Sequence, residues 1–294
     1  MTLVGAMTTI GTDELKDSLT SSLWNVDESY YTSAAEGSED FGENYGLLTV
    51  QRYCQRSPCI LDCGCGEGTK LSKMAGPVSQ AYGVDISRLA TSIARDKYPQ
   101  LRLVQGDVEE LPFTDESFDA VYSAYTLEHL SAPQKVIDEM IRVTRLEGYV
   151  IFIGPNYGSP LYFSPCGYAV GNFKRKLLRR LWQSHRYLLF PPNSLRWENV
   201  EPLALSEGRY EMDWDTVVEP YLHTLLLYLA RKGLQVIEYS SMFDATSVQR
   251  VPILKLIRSN QGEVIRKICK RLSDWGLPPY KFYGPNFYVI AQKT

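Results

Sequence analysis

The segment Asp62-Cys-Gly64-Cys65-Gly66-Glu-Gly68-Thr69 concentrates the residue types that could hold a polar ligand. An acid closes a short apolar run, and three glycines follow at alternate positions. Glycines there permit a tight turn and a close approach of backbone to ligand, and a helix start just beyond leaves N–H groups free. The dinucleotide fingerprint is a poor match, because it needs a step of three from its second glycine to its third and Gly68 follows Gly66 by two. Two further acids close similar runs. Asp85 ends Gln80-Ala-Tyr-Gly-Val, where a carboxylate can accept from both ribose hydroxyls; Asp107 ends Leu101-Arg-Leu-Val-Gln-Gly, where it can accept from an adenine amine. Each Asp alone is equally well explained as a helix cap. Three in this order behind a glycine loop indicate an adenosine-bearing ligand at one sheet edge.

Only a parallel sheet brings those acids together. Short apolar runs predict strands at 59–62, 80–85, 101–107, 119–125 and 148–154. Helices are expected near 42–55, from Ser87 to 97 and, after Ala132-Pro133, to 145. Such alternation gives a parallel sheet with right-handed crossovers. After Gly154 the rhythm breaks. A helix over 215–232 and strands at 234–240 and 286–292 resume it, and the long intervening stretches should fold into added elements rather than loops. The expected organisation is an N-terminal arm over 1–40, a ligand-binding core over 41–156, a cap insertion over 157–214, a core helix and strand over 215–241, a second insertion over 242–284 and a last core strand over 285–294.

Five motifs together resemble the class I S-adenosylmethionine-dependent methyltransferases, especially the small-molecule group. They are Ile60-Leu-Asp-Cys-Gly-Cys-Gly-Glu-Gly68, Gly83-Val-Asp-Ile-Ser87, Gly106-Asp-Val-Glu-Glu-Leu-Pro-Phe113, Ser117-Phe-Asp-Ala-Val-Tyr122 and Leu127-Glu-His-Leu130. The resemblance implies an α/β Rossmann-like sheet of seven strands, mostly parallel with an antiparallel last strand, to which the helical cap insertions are added. It implies S-adenosylmethionine as cofactor, with Gly64, Cys65 and Gly66 against its methionine part, Asp62 and Tyr45 also at the cofactor, Asp85 and Ile86 at the ribose and adenine face, Asp107 and the backbone of Val108 reading the adenine, and the backbone near Ser123 facing the methionine moiety and the sulfonium. In similar enzymes the N-terminal region closes over the cofactor, so Tyr45 or the Tyr30-Tyr31 pair, with Trp24 nearby, is expected to form part of a lid.

A sulfonium methyl is already activated, so the protein mainly aligns the acceptor and excludes water. Where the acceptor is a hydroxyl a base helps. His129 is the candidate general base; the alternative is a histidine that hydrogen-bonds locally at a helix start. Related quinone-type enzymes use a Glu-His pair for a metal with an acid three residues before the histidine's partner. Tyr125 stands in that place here, so no metal is expected. Tyr125, Asn156 and Tyr157 are candidates to line the acceptor pocket, joined by Tyr162, Phe163, Trp182, Tyr187, Trp197 and Tyr221 from the cap and the helix after it.

Composition narrows the partners. Net charge is −3, no run of eighteen apolar residues exists, and the N-terminus lacks a basic segment, so a cytoplasmic chain without a secretory signal is expected. The six cysteines fit no zinc spacing and read as buried thiols. From 157 to 196 there are seven basic residues and no acid. Leu177, Leu178, Leu181 and Trp182 share a helical face with Phe173 there, beside Lys174, Arg175, Lys176, Arg179 and Arg180. Val264, Ile265, Ile268 and Leu272 do the same beside Arg266, Lys267, Lys270 and Arg271. These basic amphipathic helices fit either a packed cap with a solvated face, a phosphate-bearing or lipid-linked acceptor, or peripheral membrane contact. Nucleic acid is not expected as a partner, for no stacking module or overall basic charge is present. The expected function is methyl transfer to a small molecule, first to an oxygen of a sugar, glycan precursor or secondary metabolite. The alternatives are a protein or nucleic-acid methyltransferase and a catalytically silent cofactor-binding subunit.

Overall fold

The structure, a computed structural model, describes Tyr31 and residues 44–77, 79–169, 173–203, 213–242 and 260–294. Trp24 and Tyr30 lie outside the described residues, as do the side chains of Phe173, Lys174, Val264, Ile265 and Arg266. The chain opens with helix α1 (Tyr45–Cys54), capped by Asn44, whose side chain accepts from the Leu47 N–H at 3.0 Å. Five strands then alternate with helices: β1 (Cys59–Cys63), α2 (Thr69–Met74), β2 (Gln80–Asp85), α3 (Arg88–Lys97), β3 (Arg102–Gln105), β4 (Phe118–Ala124), α4 (Pro133–Val143) and β5 (Thr144–Pro155). A cap carries α5 (Pro165–Ala169), α6 (Phe173–Leu189) and a small ribbon of β6 (Glu198–Asn199) with β7 (Val218–Glu219). The core resumes with α7 (Leu222–Arg231) and β8 (Leu234–Met242). Helix α8 (Asn260–Asp274), a turn of 3₁₀ helix (Tyr280–Phe282) and β9 (Asn286–Lys293) complete it.

The strands hydrogen-bond in the order β3-β2-β1-β4-β5-β9-β8, giving seven strands with β9 antiparallel to both neighbours. The chain winds outward from β1 to β3, then returns to place β4 on the other side of β1. Crossovers therefore leave in opposite directions between β1 and β4, which opens a crevice at their carboxyl ends. Alternation along the strands covers both faces. Leu61, Val121, Val150 and Phe152 meet α4 and α7, whereas Ile60, Tyr122, Ile151 and Ile153 meet α1 and α2.

Two element boundaries differ from expectation. Strand β3 stops at Gln105, two residues before Asp107, because its partner β2 ends at Asp85 and Gln105 is the last paired residue. The helix expected from 215 begins instead at Leu222. Pro220 disfavours helical backbone at Glu219, and residues 218–219 pair with β6 instead.

The cap is held by a buried ion pair. Arg180 reaches Glu219, and both are withdrawn from water. The Arg180 guanidinium also donates to the carbonyls of Tyr157 (2.6 Å), Ser159 and Tyr162 (3.3 Å each) and lies 3.9 Å from the Phe163 ring centroid. Glu219 accepts from the Ser164 backbone at 3.0 Å and hydroxyl at 2.8 Å. This corrects the sequence expectation for α6, in which Arg180 belonged to the solvated basic face. The pair turns Arg180 and Ser184 inward, and Leu178 and Trp182 face water.

Candidate functional site

Backbone geometry builds the cofactor edge. Gly64, Gly66 and Gly68 all adopt positive φ. A Cβ on Gly64 would lie 2.2 Å from Thr126, which packs over the turn from the end of β4. A Cβ on Gly66 would meet nothing within 4 Å among the described residues, so the loop borders space there that they leave open. The Asp85 carboxylate pins this loop to β2, accepting from the N–H of Gly66 at 2.8 Å and of Ser87 at 2.9 Å. Burial raises its pKa and those two bonds oppose the rise. Each oxygen keeps a lone pair for a hydroxyl.

Asp62 is buried beneath the loop and accepts from the Tyr122 hydroxyl at 2.8 Å. Burial pushes its pKa up to about 7. Its second oxygen and the Ser123 hydroxyl, at the ends of β1 and β4, are buried without hydrogen-bond partners among the described residues. Such atoms cost free energy unless a polar ligand reaches them. The open cradle at Gly66 and these two unsatisfied atoms fit the amino-acid end of S-adenosylmethionine. Cys65 is buried against the loop, and Ile86 is exposed just past Asp85. Asp107 is exposed and accepts from the Glu109 N–H at 2.8 Å, leaving its other oxygen at the edge beside buried Val108.

Tyr31, from the N-terminal arm, enters this edge. Tyr31 is buried, hydrogen-bonds Ser87, and has its phenol pKa raised by burial and then by the Asp85 carboxylate, with Asp215 and Cys65 also near. Tyr31 therefore spans the cofactor acid and the group described next. Tyr45 is 61% exposed and sits edge-on to Tyr288. Tyr125, with φ of 59°, accepts from Asn44 at 3.2 Å and lies under the Lys70 ammonium.

The second half of the site is a cluster of ionisable side chains. A 3₁₀ turn after β4 (Leu127–His129) presents Glu128 and His129. The Val217 N–H donates to the Glu128 carbonyl at 2.8 Å, clipping the segment before β7 onto this turn. Asp215 is thereby placed 3.2 Å from His129 Nδ1, and Glu128 lies 3.7 Å from Nε2. Burial disfavours a charged His129, but the carboxylates of Asp215 and Glu128 outweigh it and raise its pKa to about 10. Burial pushes Glu128 up to about 7, with His129 opposing. Tyr157 is buried beside the cluster and hydrogen-bonds Asp213. His129, the expected general base, thus stands between two carboxylates that favour its protonated form.

Several expected pocket residues serve the fold. The Asn156 side chain donates to the Phe282 and Gly284 carbonyls, at 2.7 Å each, and accepts from the Leu222 N–H at 3.0 Å. Tyr162 and Phe163 are buried in the cap near Arg180, and Tyr187 packs against the core. Tyr221 bonds Ser184 at 2.8 Å and the Trp197 indole donates to Thr224 at 3.1 Å, while Trp182 is on the outside. A cavity of about 10 Å³ beside Arg180 and Glu219 has room for no more than a water. The sequence reading missed Asp213, Asp215 and Glu219. The charge of 213–219 was legible, but its pairing with Arg180, Tyr157 and His129, thirty-nine, fifty-six and eighty-six positions earlier, was not.

Among known proteins, residues 61–152 match a family model described as a methyltransferase domain. An uncharacterized methyltransferase, YcgJ of Bacillus subtilis, is 32% identical over 117 residues, 38% of this chain and 46% of that protein. A demethylmenaquinone methyltransferase of Renibacterium salmoninarum is 31% identical over 102 residues, 34% of this chain and 43% of its own. The chain thus spans less than half the length of these relatives. The fold is shared with the solved S-adenosylmethionine-dependent methyltransferase of Mesorhizobium loti, at a TM-score of 0.53 and 15% identity over 88% of this chain and 99% of that one. No helix among the described residues is long and apolar enough to cross a membrane.

Proposed function

We propose that this chain, a class I S-adenosylmethionine-dependent methyltransferase by its fold and by the domain at residues 61–152, methylates a hydroxyl oxygen of a small molecule such as a sugar, a glycan precursor or a secondary metabolite. The carrying observation is the Glu128–His129–Asp215 cluster. With His129 an imidazolium and both carboxylates ionised, the three bear one surplus negative charge, so they can take up one proton. Glu128 is the group to hold it, because its pKa lies near neutrality. A thiolate or a carbanion has no proton to give up at this stage, whereas a hydroxyl does.

In this reading Asp85 and Ile86 hold the ribose and adenine, Asp107 and Val108 the adenine edge, and Asp62, Gly64, Cys65, Gly66 and Ser123 the methionine part. When bound, the cofactor would supply an electrophilic methyl group on a sulfonium, with the sulfide as leaving group for an acceptor oxygen. Tyr31 closes over the edge and excludes water. Asp215 fixes the His129 ring, and His129 holds Glu128 ready to receive the hydroxyl proton. Tyr125 and Tyr157 flank the acceptor.

The test is methyl transfer from labelled cofactor to a panel of hydroxylated glycan precursors, phenols, demethylmenaquinone and amines, read against pH. Transfer to oxygen with kcat/KM rising through about pH 7, and that rise missing in Glu128→Gln, is expected. Transfer to amines or carbon alone, or a profile indifferent to Glu128, contradicts the reading.

A further inference from the structure

We propose that the outer face of the cap helix α6, continued by helix α8, is a docking surface for an anionic lipid bilayer. The face turned outward on α6 carries Leu178, Trp182, His185 and Leu189, spaced i, i+4, i+7, i+11 along one side of the helix. Leu178 is 67% exposed, Trp182 60% and Leu189 76%, with Phe190 exposed immediately beyond. Single exposed apolar residues need no explanation, but an aligned stripe of this size on a surface helix does. The helix is not short of apolar contact, because Leu181 packs on the core from its other side. The stripe is therefore surplus to folding.

The charge beside the stripe identifies what covers it. Exposed Arg175 and Arg186 flank it, Arg186 lies 5.0 Å over the Trp182 ring, and exposed Arg179 beside them pairs with Glu198. Residues 157–196 contain no acid, although the whole chain is net negative. An apolar stripe of Leu and Trp edged by arginines matches the boundary between lipid chains and anionic headgroups. A second copy of this chain would bring arginines against arginines, and a polyanion would leave the Leu and Trp wet.

Helix α8 extends the same surface. His185 of the stripe meets Tyr280 edge-on at 6.3 Å, and α8 packs on the turn that carries Tyr280. Its outward side shows Ile268, with Trp275, 71% exposed, just past its end; Lys267 and Arg271 lie around them, and Lys270 pairs with Asp274 at 2.8 Å. Two helices from separate insertions thus present the same chemistry around one turn. None of these residues touches the cofactor edge or the acid cluster.

The experiment is co-sedimentation of the full chain with phosphatidylcholine vesicles, with and without phosphatidylglycerol, at low and high salt. Binding is expected only to the anionic vesicles and should weaken with salt. Arg175→Gln/Arg186→Gln should weaken it roughly thirtyfold. Leu178→Ser/Trp182→Ser should weaken it at least about tenfold. Both variants should keep wild-type melting temperature and cofactor affinity, since the altered side chains are exposed. Absence of vesicle binding overturns the proposal. So does equal binding to neutral vesicles, or a concentration-dependent dimer that Leu178→Ser/Trp182→Ser dissociates while vesicles do not bind.

Discussion

The two halves of the site are made differently. The cofactor edge is set by backbone: glycines at positive φ, N–H groups aimed at Asp85, and strand ends that follow one another in sequence from 62 to 108. The acid cluster is set by side chains gathered from Tyr31, the turn at 127–129, and residues 213–215, which a long cap insertion separates. A backbone-made site keeps its geometry as long as the sheet forms. A side-chain-made site depends on the cap docking correctly, and its chemistry depends on how three or more charges share a small volume. The first kind suits a ligand common to many enzymes and the second an acceptor that differs among them.

The largest effect should come from undocking the cap. Arg180→Ala leaves the Glu219 carboxylate buried without its cation and should destabilise the chain by about 3–5 kcal/mol in chemical denaturation. Glu128→Gln should then lower kcat by about 100-fold or more with cofactor affinity unchanged in calorimetry. Loss of cofactor affinity in that variant would erase the distinction between the halves.

A smaller contrast lies inside the loop. Gly64→Ala drives a Cβ into Thr126 and should lower the melting temperature as well as affinity. Gly66→Ala meets none of the described residues, so the cost to the fold is the left-handed backbone, about 1 kcal/mol. Its main effect should be a weaker cofactor Kd. The smallest expected effect is pH-dependent. The pKa of His129 is raised in the fold, so the stabilisation it confers is full below its ordinary value of 6.5 and is lost as pH rises through about 10. Asp215→Asn should therefore lower melting temperature most near pH 6, and the difference from wild type should fade towards pH 10. A difference that grows with pH would mean that Asp215 does not hold the imidazolium.

Legibility followed the same division. Cys59-Ile-Leu-Asp, the glycine turn, Asp85 and Asp107 are local patterns, each strand and its acid adjacent in sequence, and the sheet order places them at one crevice. Even there Asp107 falls past its strand, because the end of β3 is decided by where β2 stops. Apolar periodicity marked α6 as amphipathic but not which side faces in. That was decided by Glu219, thirty-nine positions away, which draws Arg180 inward against the apparent polarity of the helix. His129 was visible as a titratable group in the right place. Its protonation state was not, because Asp215 reaches it only through the Val217 clip to the turn.

The most direct measurement is calorimetry of S-adenosylmethionine and S-adenosylhomocysteine binding to the full chain and to Asp85→Ala. Micromolar binding by wild type, lost in a variant that keeps its circular dichroism and melting profile, is the predicted result. A folded wild type that binds neither ligand, or an Asp85→Ala chain that binds as tightly as wild type, would contradict the account of the cofactor edge.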